Sequence, residues 1–467
     1  MTLPSHGVPP VVDDPLSTPH VLVVVGTRPE AIKMLPVVQA LREHARIEQV
    51  VVTSGQHPGL VADVLRLAGV EVDADLAIGR PGITLNELFA EVLERLERFC
   101  AERFGPPSSS VVGRDIDRYP FACLVHGDTT TAAAAALAAF HLRIPVGHVE
   151  AGMRTSSTLS PFPEELNRQL IARIASFHLA PTEVAKGNLV AEGIDIQRVF
   201  VTGNTAIDAL QLAADRCTPY GVPELDDLED DTTTRVVVVT AHRRESWGRG
   251  LERVGTAIAR LAGEYPDVRF VLPLHPNPAV AGTLRPLLLG IPNVDLVAPM
   301  VYSAFARLLG RADIAITDSG GIQEEAPALG TAVLVTREST ERTEGVDAGT
   351  LELVGTDPDR IVAAARRLLD DKAYFQEVTH RTNPYGDGRA AQRIVEAMDH
   401  LVFDDPAPVP YGAGFSRGVV LDWAGYEREP TGQGATAPTG PGRGLVDPSP
   451  GSPIPDVDTT IPEGVGM

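Results

Sequence analysis

The side chains best placed for chemistry in this chain are charged groups that directly follow short apolar runs. GTRPE (26–30) comes after VLVVV, with Arg28 and Lys33 bringing positive charge to what reads as a helix start. A helix N-terminus carries unpaired N–H groups and a positive field, so this turn is suited to an anion. ITDSGGIQEEA (316–326) repeats the arrangement: Ser319 offers a hydroxyl, Gly320 and Gly321 open the backbone, and a helix follows. Glu324 or Glu325, one turn further on, could accept hydrogen bonds from a ribose diol. TAHRRESWGRG (240–250) sets His242, Arg243 and Arg244 after another apolar run, and TERTEG (340–345) adds Arg342. Carboxylates form the second group. Asp128 in HGDTTT (126–131), Glu150 in HVEAGMRT (148–155) and Glu164 in PEELNR (163–168) all sit at strand ends or helix starts. Each motif has a plainer reading as a tight turn with solvated charge or a first-turn helix acid. His126 and His148 lack a third ligand of suitable spacing, so no metal is expected.

The elements that must hold these turns alternate in type. VLVVV (21–25), QVVVT (49–53), FACLVH (121–126), PVGHV (145–149) and RVFVTG (198–203) read as buried strands. Helix-period segments such as 132–142 and 163–176 lie between them. After the Pro/Asp/Thr-rich stretch 216–234 the pattern restarts, with strands at 235–240, 268–273, 294–299, 312–317 and 332–336 and helices at 251–264 and 358–371. Strands alternating with helices predict parallel sheets covered on both faces, here two doubly wound, Rossmann-like α/β domains in series. The expected boundaries are an aperiodic extension (1–18), a first domain (19–215), a second domain (216–387), a last amphipathic helix (388–403) and a disordered tail (404–467).

Composition narrows the class. Among 467 residues, 40 basic and 62 acidic side chains leave a net charge of −22, which disfavours nucleic acid and anionic membrane as partners. No apolar run of about 18 residues suggests a membrane span. The first twenty residues lack a secretory pattern, and three cysteines make no disulfide framework, so a cytoplasmic setting is expected. Neither GxGxxG, a P-loop nor GxSxG occurs, which disfavours nicotinamide cofactors, ATP and a serine nucleophile.

Taken in order, GTRPEAIKMLPV (26–37), HGDTTT, IPVGHVEAGMRT (144–155), PFPEELNR (161–168), TGNTAIDAL (202–210), HRRESWGRG (242–250), DSGGIQEEAPALG (318–330), GTLELVGTD (349–357) and NPYGDGRAAQRI (383–394) resemble the bacterial non-hydrolysing UDP-N-acetylglucosamine 2-epimerases over about residues 19–403. The resemblance implies a glycosyltransferase-B type architecture: two Rossmann-like domains facing a cleft, the last helix crossing back to the first domain, in a homodimer. It implies reversible epimerisation of UDP-GlcNAc to UDP-ManNAc with no cofactor. Asp128, Glu150, Glu164 and His242 fall on the family's catalytic positions. Arg28, Lys33, Ser319, Gly320, Gly321, Glu325 and Arg342 fall on its nucleotide contacts. Gln56, His57 and Arg243 fall where some relatives bind a second, activating UDP-GlcNAc. The chain departs from the family at Pro58–Gly59, where relatives carry longer side chains, and at Thr343, often proline in relatives. A hydrolysing epimerase, a glycosyltransferase of the same fold and a silent sugar-nucleotide sensor are the alternatives.

Overall fold

The computed structural model describes residues 18–56, 59–67, 69–80, 82–105, 119–155, 158–159, 161–215, 218–241, 247–275, 277–340, 342–406 and 416–425. The first half runs β1 (His20–Val25), α1 (Arg28–Glu43), β2 (Glu48–Thr53), α2 (Leu60–Leu67), β3 (Ala74–Asp75), α3 (Leu85–Phe104), β4 (Ala122–His126) and α4 (Thr130–His141). It continues through β5 (Val146–Val149), α5 (Glu164–Ile174), β6 (Phe177–Ala180), α6 (Glu183–Ala191), β7 (Val199–Val201) and α7 (Thr205–Ala214). Its strands form one parallel sheet in the order β3-β2-β1-β4-β5-β6-β7.

Successive strand side chains point to opposite faces, so the valine run of β1 serves both. Val21, Val23 and Val25 join a core with Met34, Val37 and Leu41 of α1. Leu22 and Val24 join another with Leu88, Val92 and Leu96 of α3 and the small side chains Ala132–Ala136 of α4. Helices on both faces explain why the strands read as unbroken apolar runs.

The second half repeats the plan with β8 (Arg235–Thr240), α8 (Arg249–Glu264), β9 (Val268–Pro273), α9 (Pro278–Leu288), β10 (Val294–Val297), α10 (Tyr302–Arg311), β11 (Ile314–Thr317) and α11 (Gly320–Glu325). Then come β12 (Ala332–Val335), α12 (Thr343–Asp347), β13 (Leu351–Leu353), α13 (Pro358–Asp370) and α14 (Lys372–Thr379). The sheet is parallel, ordered β10-β9-β8-β11-β12-β13. A short 3-10 turn, Pro223–Leu228, occupies the stretch expected as a domain junction.

Helix α15 (Ala390–Phe403) returns to the first sheet, where Ile394, Met398 and Leu401 enter the core shared with α1. Its N-terminus has no cap of its own. Asp208 of α7 supplies one, accepting from Ala390 N at 3.2 Å and Ala391 N at 2.8 Å. The expectation of disorder after residue 403 is corrected by α16 (Arg417–Ala424). Val420 is buried beside α15, Trp423 lies 3.8 Å from the Arg198 guanidinium, and Ser416 N donates to Gln197 O. Residues 407–415 and 426–467, and the expected extension up to residue 17, lie outside the described residues. Among the described residues no helix is long and apolar enough to cross a membrane.

Candidate active site

Strand order reverses between β1 and β4 in the first sheet and between β8 and β11 in the second. In open parallel sheets a crevice forms at such a reversal, outside the carboxyl ends of the strands. The turns after β1, β4 and β11 carry GTRPE, HGD and DSGG. The topology therefore gathers the charged motifs at two crevices.

The first crevice is built around Glu150, which follows β5 with φ at +61°. A non-glycine residue in the left-handed region stores backbone strain and is held by its surroundings. Lys33 Nζ lies 2.5 Å from Glu150 Oε2, and His126 Nε2 lies 3.4 Å from the same oxygen. Burial alone would raise the Glu150 carboxyl, but the Lys33 and His126 charges outweigh it and hold the group well below the usual carboxylate range. Burial works against the Lys33 cation as well. The Glu150 charge, with Glu324 and Glu325, reverses that and raises the amine above its ordinary value.

Asp128 follows β4, and Arg168 of α5 donates to its Oδ2. Asn167 Nδ2 donates to its backbone carbonyl at 2.8 Å. Burial and the Glu150 charge push Asp128 upward despite Arg168, His126 and Lys33. Arg168 is itself held at 3.1 Å by the fully buried Glu165. Glu164 opens α5 one turn before Arg168, and its Oε2 is shielded from solvent with no hydrogen bond among the described residues. His148 is buried, and burial pushes it down to about 4. It is thus neutral near pH 7, and its Nε2 donates to Gly127 O at 2.7 Å, bracing the turn that carries Asp128.

Glu30 is a site residue that the sequence did not single out. It closes the capping box of α1, its Oε2 accepting from Thr27 N at 2.7 Å, Thr27 Oγ1 at 2.8 Å and Gly26 N at 3.2 Å. Its Oε1 accepts from Thr129 Oγ1 at 2.8 Å, which ties the β1 turn to the β4 turn. The available signal was the T-x-x-E spacing of a capping box. Gly26 is required where it stands, because a Cβ there would lie 2.4 Å from Thr131 Oγ1. Arg28 is exposed at the start of α1. Gln56 Oε1 accepts from Thr131 Oγ1 at 3.2 Å, directly behind this turn.

In the second crevice Ser319 precedes α11 without capping it, while Gly320 and Gly321 open the helix. The Arg342 guanidinium lies over Gly320, so close that a Cβ on the glycine would stand 3.0 Å from Cζ. Of the two glutamates, Glu324 is engaged with Arg342 Nε at 2.8 Å. Glu325 stands apart, and burial, with Glu324 nearby, raises it to about 7. Glu324 and Glu325 act on Lys33, and Glu150 acts on Glu324, so the two crevices share one electrostatic field. His242, Arg243 and His57 lie outside the described residues.

Fold and site together define a two-domain α/β protein of the glycosyltransferase-B type, with carboxylates at one crevice and a glycine–arginine turn at the other. A family model described as UDP-N-acetylglucosamine 2-epimerase matches residues 39–399. The chain is 47% identical over 384 residues to the UDP-N-acetylglucosamine 2-epimerase of Yersinia pestis, covering 81% of this chain and 98% of that protein. It is 45% identical over 387 residues to that of Escherichia coli K12, with the same coverage. The crystal structure of UDP-GlcNAc 2-epimerase from Neisseria meningitidis bound to UDP-GlcNAc superposes with a TM-score of 0.71 at 40% identity, covering 81% of this chain and 99% of that one. The chain belongs to the UDP-N-acetylglucosamine 2-epimerase family.

Proposed function

We propose that the protein interconverts UDP-GlcNAc and UDP-ManNAc by eliminating and re-adding UDP. The observation that carries this reading is the pairing of Lys33 with Glu150 and of Arg168 with Asp128 at one crevice, with Arg342 over the Gly320 turn at the other. The C2 proton of the sugar is not acidic, since C1 is an acetal carbon. Loss of that proton to a carboxylate, with the C1–O electron pair leaving on UDP, gives 2-acetamidoglucal. Return of the UDP oxygen to C1 and of a proton to the opposite face of C2 completes the inversion. Both steps are redox-neutral.

Asp128, raised by burial toward the working pH, is suited to exchange a proton, and Glu164 offers an oxygen with no hydrogen bond among the described residues. Glu150 stays ionised and keeps Lys33 charged. Arg28, Ser319, Gly320, Gly321, Glu325, Arg342 and His242 serve the nucleotide. Gln56, with His57 and Arg243, remains the candidate region for an activating sugar nucleotide.

A homodimer and a cytoplasmic setting complete the proposal. Leu166 and Leu170, four residues apart on α5, and Phe162 just before the helix are exposed apolar side chains, suited to a second copy of the chain. Cys100 and Cys123 are buried free thiols, as suits a reducing compartment.

Incubation of purified protein with UDP-GlcNAc, followed by anion-exchange chromatography, tests the function. A UDP-ManNAc peak is expected. Free ManNAc with UDP would replace this reading with hydrolysis, and an acceptor-dependent product would replace it with glycosyl transfer.

A further inference from the structure

Three parts of the chain meet out of solvent behind the Gly320–Arg342 turn. Asn204 caps α7, its Oδ1 accepting from Ala206 N at 2.9 Å. That duty fixes which way the amide faces, so the donor Nδ2 points away from the helix, onto Glu324 Oε2 at 3.0 Å. The other carboxylate oxygen of Glu324 receives Arg342 Nε at 2.8 Å. The segment that crosses back to the first sheet closes the group. Asn383 Nδ2 donates to Glu324 O at 3.0 Å, and Tyr385 O accepts from Asn204 N at 2.8 Å. Asn204 is 3% exposed, Glu324 7% and Asn383 7%. A buried carboxylate is costly unless it is paired and hydrogen-bonded, and the partner of Glu324 is the guanidinium that covers Gly320.

We propose that Glu324 and Asn204 are positioning residues for nucleotide binding. The cap of a first-sheet helix, acting through Glu324, holds Arg342 over the Gly320 turn and aims it at a nucleotide diphosphate. The arginine is thus held through a contact that joins the two sheets. The inference rests on reading this turn as a UDP site. Glu325, the neighbouring carboxylate, takes no part in the relay.

Titration calorimetry with UDP tests the relay without turnover. Asn204→Asp keeps a helix-capping oxygen but sets a carboxylate against Glu324, and UDP affinity is expected to fall about tenfold or more. Glu324→Gln is expected to weaken binding too, because its amide faces a second amide donor. Combining Asn204→Asp with Glu324→Gln restores a donor–acceptor pair of reversed polarity, and the double variant should bind UDP at least about fivefold more tightly than Asn204→Asp alone. A protein in which these positions only fill space would show added losses and no recovery. Near-normal affinity for Asn204→Asp, or a double variant no better than that single one, overturns the proposal. Should Asn204→Asp fail to fold by circular dichroism, Glu324→Ala decides: unchanged UDP affinity overturns the relay, and loss of about tenfold or more supports it. Tight UDP binding by the native protein with no UDP-ManNAc formed would defeat the epimerase reading and leave the relay standing.

Discussion

Replacing Lys33 by methionine removes the cation paired with the buried Glu150 carboxylate while keeping the side chain's length. Glu150 is 8% exposed, and Lys33 is 2.5 Å away. The positive partner left behind is His126 at 3.4 Å, charged only when protonated. Removing one member of a buried pair costs about 3–5 kcal/mol, because the remaining charge stays desolvated. The loss must depend on pH. The folded pKa of Glu150 is depressed, so its contribution is fully present above the ordinary carboxyl value of about 4.3 and is lost as pH falls through the folded value. The folded pKa of Lys33 is raised, so its contribution is present below the ordinary amine value of about 10.4 and is lost as pH rises through the folded value. Urea unfolding at pH 7.5 should therefore show Lys33→Met less stable by about 3 kcal/mol or more, with the gap narrowing below about pH 4. A gap under about 1 kcal/mol at pH 7.5, the size of a surface pair, or one that ignores pH would mean that Lys33 does not offset a buried charge on Glu150.

Asp128→Asn and Glu150→Gln should each lower turnover at least about a hundredfold in a UDP-ManNAc formation assay, and near-normal turnover would remove that residue from the mechanism. Asp208 is raised from 3.8 to about 6 by burial, against the Ala390 and Ala391 N–H groups it caps. The folded state holds that proton more tightly, so ionising Asp208 should destabilise the protein by roughly 3 kcal/mol between pH 4 and pH 7. Asp208→Asn should flatten that part of the pH–stability curve, and an unchanged slope would show the sign to be wrong. Gly320→Ala drives a methyl toward Arg342, which Glu324 holds in place, and UDP affinity measured by calorimetry should fall about three- to tenfold.

The long valine-rich strands were legible because burial on both faces removes every polar position. β8 and β9 run over the same residues as the apolar patterns at 235–240 and 268–273. Strands β3, β6 and β13 escaped notice. Strand β3 is two residues long, too short to carry a period. Helix α16 was hidden by its Pro- and Gly-rich surroundings and owes its place to tertiary contacts of Val420 and Trp423. In the site, strand-end position pointed to Asp128 and Glu150 and the helix start after β1 pointed to Lys33, and the fold sets Lys33 against Glu150. Glu30, Asn204 and Asn383 were not legible as site residues. They act through hydrogen bonds to partners 99, 120 and 59 positions away, a relation no local pattern encodes.

Proton NMR of the products formed from UDP-GlcNAc in D₂O follows the C2 proton through the reaction. UDP-ManNAc carrying deuterium at C2 is expected, with deuterium also entering C2 of the remaining UDP-GlcNAc as the reaction reverses. UDP-ManNAc that retains the original C2 proton would contradict proton exchange through Asp128 and its neighbours, and with it the elimination and re-addition of UDP.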